Sequence, residues 1–254
     1  MLAKKAEGRA MSHGVNWLRL TGVVASLSAR PAWPPWRWPG VAGGVAALVL
    51  WLSVAVSSGK EGAIQCANLV YAGTQTSRCF SDEFLSTVQR TTAVATERRF
   101  KSVKLASDEL FQFPFVVMTG EHTFLLSTKE RENMKRYLTS GGFVLASAGC
   151  SSKEWDQAFR KEIKAMFPDT PLQALGLEHP IFHSFRDIKE LKLHHPAETP
   201  RIEGLTVNGK VVLVYSAHGL NDTAHTEGCC CCGGNEIVNS LDVNVNILVY
   251  ALIH

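Results

Sequence analysis

The sequence predicts an α/β fold: a central, mostly parallel sheet with helices on both faces, carrying a β-hairpin and preceded by an N-terminal hydrophobic helix. Three observations predict it. Phe143, Val144 and Leu145 form an apolar run opened by Gly141-Gly142 and closed by Ala148-Gly149-Cys150, the pattern of a strand buried on both faces. Ser151 and Glu154 follow at capping-box spacing, then Trp155, Phe159, Ile163 and Phe167 at helical spacing. Residues 202–207 and 210–216 alternate apolar and polar around Asn208-Gly209, the dipeptide of a type I′ hairpin turn.

The other elements fall into place around this unit. Residues 64–71 read as the first strand, ending at Gly73, and Ser81-Asp82 as the N-cap of a helix carrying Phe84, Leu85 and Val88. Residues 103–105 form a short second strand. Residues 113–118 form a strong buried strand, stopped by Thr119-Gly120, with Pro114 at its start where a missing N–H matters least. Ser127 and Glu130 make a capping box for a helix with Met134, Tyr137 and Leu138 on one face, and Gly141-Gly142 ends it. A proline-containing irregular stretch holds His179, His183, His194 and His195. The first two have helical spacing around Pro180, but surface and capping roles suit the set better than metal. Ile237, Leu241, Val245, Leu248 and Leu252 predict a closing helix, although Val243–Asn246 also alternates.

Charge divides the chain. Residues 1–62 hold seven basic and two acidic side chains; residues 63–254 hold nineteen basic and twenty-one acidic. A slightly acidic body argues against nucleic acid as a partner, because phosphate binding needs a basic face. The leader is rich in Gly, Pro and Trp up to residue 40, and residues 41–56 are uncharged and mostly apolar. That length lies between a signal-peptide core and a full membrane span, and the basic residues ahead of it predict a cytoplasmic N-terminus. The expected organisation is a signal-anchor or cleaved signal peptide in 1–62 and one α/β domain in 63–254. The body is then expected at the inner membrane or in the periplasm or cell envelope, with the membrane, through 41–56, as one partner.

Seven cysteines are present, and six are expected at one sheet edge. In open α/β sheets ligands bind outside the carboxyl ends of the strands. Cys79 follows the first strand, Cys150 the central one, and Cys229, Cys230, Cys231 and Cys232 lie after the hairpin; Cys66 reads as a buried strand residue. Thiolates hold zinc or iron–sulfur clusters, and His218 or His225 can add a nitrogen. Four adjacent cysteines cannot all face one ion, so two or three would bind. Disulfides are the rival reading for an exported protein, and unpaired thiols in a loop the third.

The body also resembles the bacterial family known as domain of unknown function 4159. The resemblance rests on Leu110-Phe111-x-Phe113-Pro114-Phe115 with Thr119-Gly120, and on Arg136-Tyr137-Leu138 before Gly141-Gly142-Phe143. It continues in His179-Pro180-Ile181-Phe182, in Glu203-Gly204 before Asn208-Gly209-Lys210, and in Asn244-Val245-Asn246-Ile247 before Tyr250-Ala251. The family looks like a variant of the class I glutamine amidotransferase-like fold, a relative of flavodoxin-like sheets, and brings no established activity. That resemblance implies a nucleophile candidate. In amidotransferase-like folds a cysteine on a sharp strand-to-helix turn attacks a carbonyl, activated by a histidine from a later strand end. Cys150 has that context, His218 is the natural partner, and Glu121 and His122 are further candidates. The glycine usual two residues after the nucleophile is Ser152 here. The expected function is therefore a non-catalytic domain binding a ligand or protein partner at its strand ends. A cysteine-dependent hydrolase or amidotransferase, or a thiol or metal redox protein, is the alternative.

Overall fold

The computed structural model describes residues 62–73, 75, 76, 80, 82–221 and 235–254. Among them lie β1 (Ala67–Tyr71), β2 (Gln75–Thr76), β3 (Lys101–Lys104), β4 (Phe115–Gly120), β5 (Phe143–Ala148), β6 (Gln173–Ala174), β7 (Glu203–Val207) and β8 (Lys210–Ser216). The helices are α1 (Asp82–Thr91), α2 (Thr128–Thr139), α3 (Lys153–Met166) and α4 (Ser240–Ile253). The strands form one sheet in the order β2-β1-β4-β5-β8-β7-β6, with β3 also paired to β1. Strands β3, β1, β4, β5 and β8 run parallel. Counted along the chain, these five follow the doubly wound order 2-1-3-4-5, in which a switch point falls between β1 and β4.

Strands β4 and β5 are neighbours in register: Phe115 pairs with Phe143, Val116 with Val144, and so on to Gly120 with Ala148. Side chains alternate across the ladder. Val116, Met118, Val144 and Ala146 join Met134, Tyr137 and Leu138 of α2 and Trp155, Phe159 and Ile163 of α3 on one face. Phe115, Val117, Phe143 and Leu145 join Phe84 and Val88 of α1 and Val243, Ile247 and Leu248 of α4 on the other. All six residues of β5 are buried, which is why the run lacks the polar alternation of a half-exposed strand.

Most local signals hold, with corrections. The strand expected at 113–118 begins at Phe115 and runs through Thr119 and Gly120, because both of those residues pair with β5; Ser81, the expected cap of α1, lies outside the described residues. The hairpin is antiparallel, and Asn208 (φ 51°) and Gly209 (φ 78°) both take the left-handed conformation a type I′ turn requires. Both bonds of the Ser127–Glu130 capping box form, and Glu130 further accepts the Ala72 N–H at 2.7 Å, tying α2 to the end of β1. The capping box expected at Ser151 and Glu154 does not form. Ser152 caps α3 instead, accepting from Trp155 N, because Cys150 and Ser151 form a tight 3-10 turn that lengthens the connection by one residue. The closing segment is helical as expected. The polar positions that mimicked strand alternation are buried asparagines bonded to backbone, Asn244 to the Leu220 carbonyl and Asn246 to both backbone groups of Arg186. The two-residue β6, paired with β7, has no sequence signal.

No helix among the described residues is long and apolar enough to cross a membrane. The apolar run 41–56, and with it the predicted N-terminal helix, lies outside the described residues.

Two substitutions test the core. A Cβ on Gly120 would sit 2.3 Å from Tyr71 Oη and 2.6 Å from Trp155 Nε1, so Gly120→Ala is expected to lower unfolding stability by about 2 kcal/mol in a denaturant titration. Val144→Asp would place a carboxylate against both helices of one face and should cost about 4 kcal/mol or prevent folding; a native-like denaturation midpoint would remove β5 from the core.

Candidate functional site

The parallel strands β1, β4, β5 and β8 all deliver their carboxyl ends to one edge, where ligands of open α/β sheets bind. Between β1 and β4 the chain fills its own switch point. Tyr71 Oη donates to the Thr119 carbonyl at 2.9 Å and accepts from Trp155 Nε1 at 2.8 Å. Trp155 is fully buried and stacks on Phe159 at 4.9 Å, while Phe124 meets Tyr71 edge-on at 5.0 Å. The polar chemistry therefore gathers one groove further along, where β4, β5 and β8 end.

Cys150 sits there on a left-handed turn. Its φ is 51° and that of Ser151 is 52°, a conformation that costs non-glycine residues energy and persists only where the surroundings hold it. Three contacts hold this one. The Cys150 N–H donates to Glu236 Oε1 at 3.3 Å, Ser151 Oγ donates to the His218 carbonyl at 2.8 Å, and Ser152 Oγ donates to the Glu121 carbonyl. Gly149 lets the turn lie on β4, since a Cβ there would meet the Gly120 carbonyl at 3.0 Å.

Glu236 is buried, and its Oε1 also accepts from Asn221 Nδ2 at 2.8 Å. Asn221 Oδ1 in turn accepts from Thr119 Oγ1 at 3.0 Å, and the preceding Leu220 N–H donates to Ser147 Oγ at 2.6 Å. A hydrogen-bond chain thus runs from β4 through Asn221 and Glu236 to the Cys150 turn, spanning the ends of β4 and β5. Buried polar groups of this kind carry a full desolvation cost if a partner is lost.

His218 closes the groove from β8. Its backbone is fixed by Ser151, but its ring turns to Glu198, with Nε2 and Glu198 Oε2 3.0 Å apart, and Nδ1 is buried without a hydrogen-bond partner among the described residues. The structure brings Cys150 and His218 to one edge and does not join the ring to the Cys150 turn by a hydrogen bond. His122 is exposed. Among the described residues no three His, Cys, Asp or Glu side chains converge as a metal site. Cys79, His225, Cys229, Cys230, Cys231 and Cys232 lie outside the described residues. What is described is the pair of anchors flanking the cysteine run: Asn221 and Glu236 bond to each other beside Cys150, and the Asn235 side-chain amide accepts from the His195 N–H and donates to the His195 carbonyl.

His179 and His183 make local structural contacts. His179 accepts the Ile181 N–H at 3.2 Å as the cap of a 3-10 turn, and His183 bridges Asp187 and the Leu177 carbonyl, both at 2.7 Å. Cys66 is fully buried just ahead of β1, and burial pushes its thiol up to about 12. Sequence reasoning missed Glu198, Asn221 and Glu236. The last two had one signal, as polar residues bracketing the cysteine segment; Glu198, in an irregular stretch, had none.

Comparison with known families settles the relationship. The model of a domain of unknown function, DUF4159, matches residues 65–252. The chain belongs to this family. The match covers β1 to β8, α1 to α3, α4 up to Leu252, and both anchors Asn221 and Glu236. No curated protein matched the chain, so DUF4159 membership supplies kinship and no chemistry, which rests on the carboxyl edge itself.

Replacing Glu236 by Ala removes the carboxylate that accepts from the Cys150 N–H and from the Asn221 amide, and should cost about 2 kcal/mol in a denaturant titration; Glu236→Gln, which keeps an acceptor, should cost less. Cys66 makes a pH prediction. Its folded thiol keeps the proton well above the ordinary value of 9.0, so its contribution is intact below about pH 9 and is lost as pH rises toward 12. Unfolding stability should drop by on the order of 1 kcal/mol by pH 10, and Cys66→Ala should remove that share of the decline.

Proposed function

We propose that this domain is a binding module that receives a ligand or partner at the carboxyl edge of its sheet, around the Cys150 turn, while residues 41–56 tether it to a membrane or direct its export. One observation carries the binding reading over a catalytic one: the Cys150 N–H donates to the buried Glu236 carboxylate. A cysteine nucleophile works as a thiolate and needs backbone donors aimed at a developing oxyanion. A carboxylate at this position occupies a donor and repels both negative charges. The His218 ring, engaged with Glu198, does not supply the base contact either. The two successive left-handed residues support a site at this turn, because backbone strain of that kind clusters at ligand-binding positions.

The hydrolase or amidotransferase reading keeps one supporting observation, the left-handed cysteine at the end of a buried central strand. It is the same reading that an amidotransferase-like fold invites. A shared thiol site drawn from Cys79, Cys150, Cys229, Cys230, Cys231 and Cys232, with His218, is supported by the Asn221–Glu236 bond beside Cys150. Zinc, an iron–sulfur cluster or a disulfide would each suit such a set.

Alkylation separates the readings. With the full chain reduced, the binding reading expects iodoacetamide at pH 7 to modify Cys150 no faster than a thiol in a short peptide; a rate roughly tenfold higher marks a thiolate nucleophile and overturns it. Metal analysis and non-reducing peptide mapping of the same preparation test the shared thiol site. Cell fractionation tests the tether, with the full chain expected in the membrane or envelope fraction and a purely cytosolic chain refuting it.

A further inference from the structure

At the pole of the sheet opposite Cys150 lies a cavity of about 390 Å³ whose lining includes Gln65, Gln89, Arg98, Arg99 and Lys101. Its position follows from register. Ala67 pairs with Lys101 across β1 and β3, and Ile64 bridges Thr96 in the same parallel sense. The residues ahead of both strands therefore form the amino edge, and the end of α1, antiparallel to them, completes the wall with Gln89.

The lining holds three cations and one carboxylate, Glu97. Among the described residues Arg98 bonds through its Nε alone, to Gln89 Oε1 at 2.9 Å, which fixes the guanidinium. Arg99 is 86% exposed and 3.7 Å from Asp82. Lys101 is exposed and makes no ion pair among the described residues. Lys104, at the other end of β3, guards an edge strand against pairing. Arg98 and Arg99 precede the strand and have no such duty.

This cavity also marks where the body joins the leader. Seven peptide steps separate Val56, the end of the apolar run, from Ala63 on the cavity wall, at most about 25 Å of chain. Given the tether reading above, on which this inference rests, a bilayer holding the apolar run is within that length of chain from the cleft. We propose that the Arg98, Arg99 and Lys101 cleft is a docking face for anionic lipid phosphates, seating the body with its Cys150 edge turned away from the membrane. The contact is an orienting one. With Glu97 in the lining and Asp82 paired to Arg99, the net excess is one positive charge, which binds weakly from solution, and the short connection supplies the effective concentration that makes it count. Guanidinium groups suit phosphate oxygens, and a juxtamembrane cationic patch favours an anionic leaflet.

The test uses the full chain reconstituted into vesicles of phosphatidylcholine alone or with phosphatidylglycerol, read by flotation and by hydrogen exchange. On anionic vesicles, amides of residues 96–101 are expected to exchange roughly tenfold more slowly than on neutral ones. The difference should vanish at high salt and in a variant combining Arg98→Gln, Arg99→Gln and Lys101→Gln, while exchange in β5 stays unchanged as a check on folding. Equal exchange on the two vesicle types, with the chain floating on both, overturns the docking face and leaves the tether standing. A chain that floats with neither refutes the tether and the docking face with it. Protection produced on neutral vesicles by free phosphate alone reassigns the cleft to a soluble anion and also overturns the proposal.

Discussion

The structure depends on the ladder between β4 and β5, six residues on each strand paired rung for rung and buried on both faces. Parallel strands need crossover connections, and those crossovers are the helices that then cover the sheet. Because Phe115, Val117, Phe143 and Leu145 point one way and Val116, Met118, Val144 and Ala146 the other, the ladder requires a helical layer on each side. The pair α2 and α3 fills one need, and α1 and α4 the other. A β-hairpin at one flank and the short β3 at the other extend the sheet where burial is no longer two-sided.

That ladder also fixes where chemistry can sit. It ends at Gly120 and Ala148, side by side, and whatever follows emerges on the same edge. The close approach of Tyr71 and Trp155 to Gly120 seals the groove on the β1 side. The close approach of Gly149 to Gly120 pulls the Cys150 turn onto β4 on the other. Between them Thr119, Asn221 and Glu236 link into one buried polar chain. The edge is thus divided into an aromatic plug and a polar groove, and Cys150 belongs to the groove.

The polar groove determines what surrounds a cysteine that sits in the setting of a nucleophile. Local sequence places a sulfur at the end of a buried strand ahead of a helix, which is a reactive position. The carboxylate that meets its N–H comes from Glu236, 86 residues later, and the histidine brought to the same edge is engaged by Glu198 instead. These distant partners set the charges around the turn, and a thiolate is stabilised or repelled by charges within a few ångströms.

Periodicity, capping residues and turn dipeptides determined the element types from sequence alone: the buried strands β4 and β5, the capped helix α2, the Asn208-Gly209 hairpin and the closing helix. Those signals are local. Apolar spacing reports how many faces an element buries, and a turn dipeptide reports φ at two positions. The sequence also placed Cys150 and His218 at one edge, since both follow parallel strands. Tertiary structure alone decided that Ser152 rather than Ser151 caps α3, that β6 exists, and that Glu198, Asn221 and Glu236 belong to the site. Each of those facts depends on a contact between residues far apart in the chain, and no pattern within a window of sequence encodes which distant side chain will fill a given hydrogen bond.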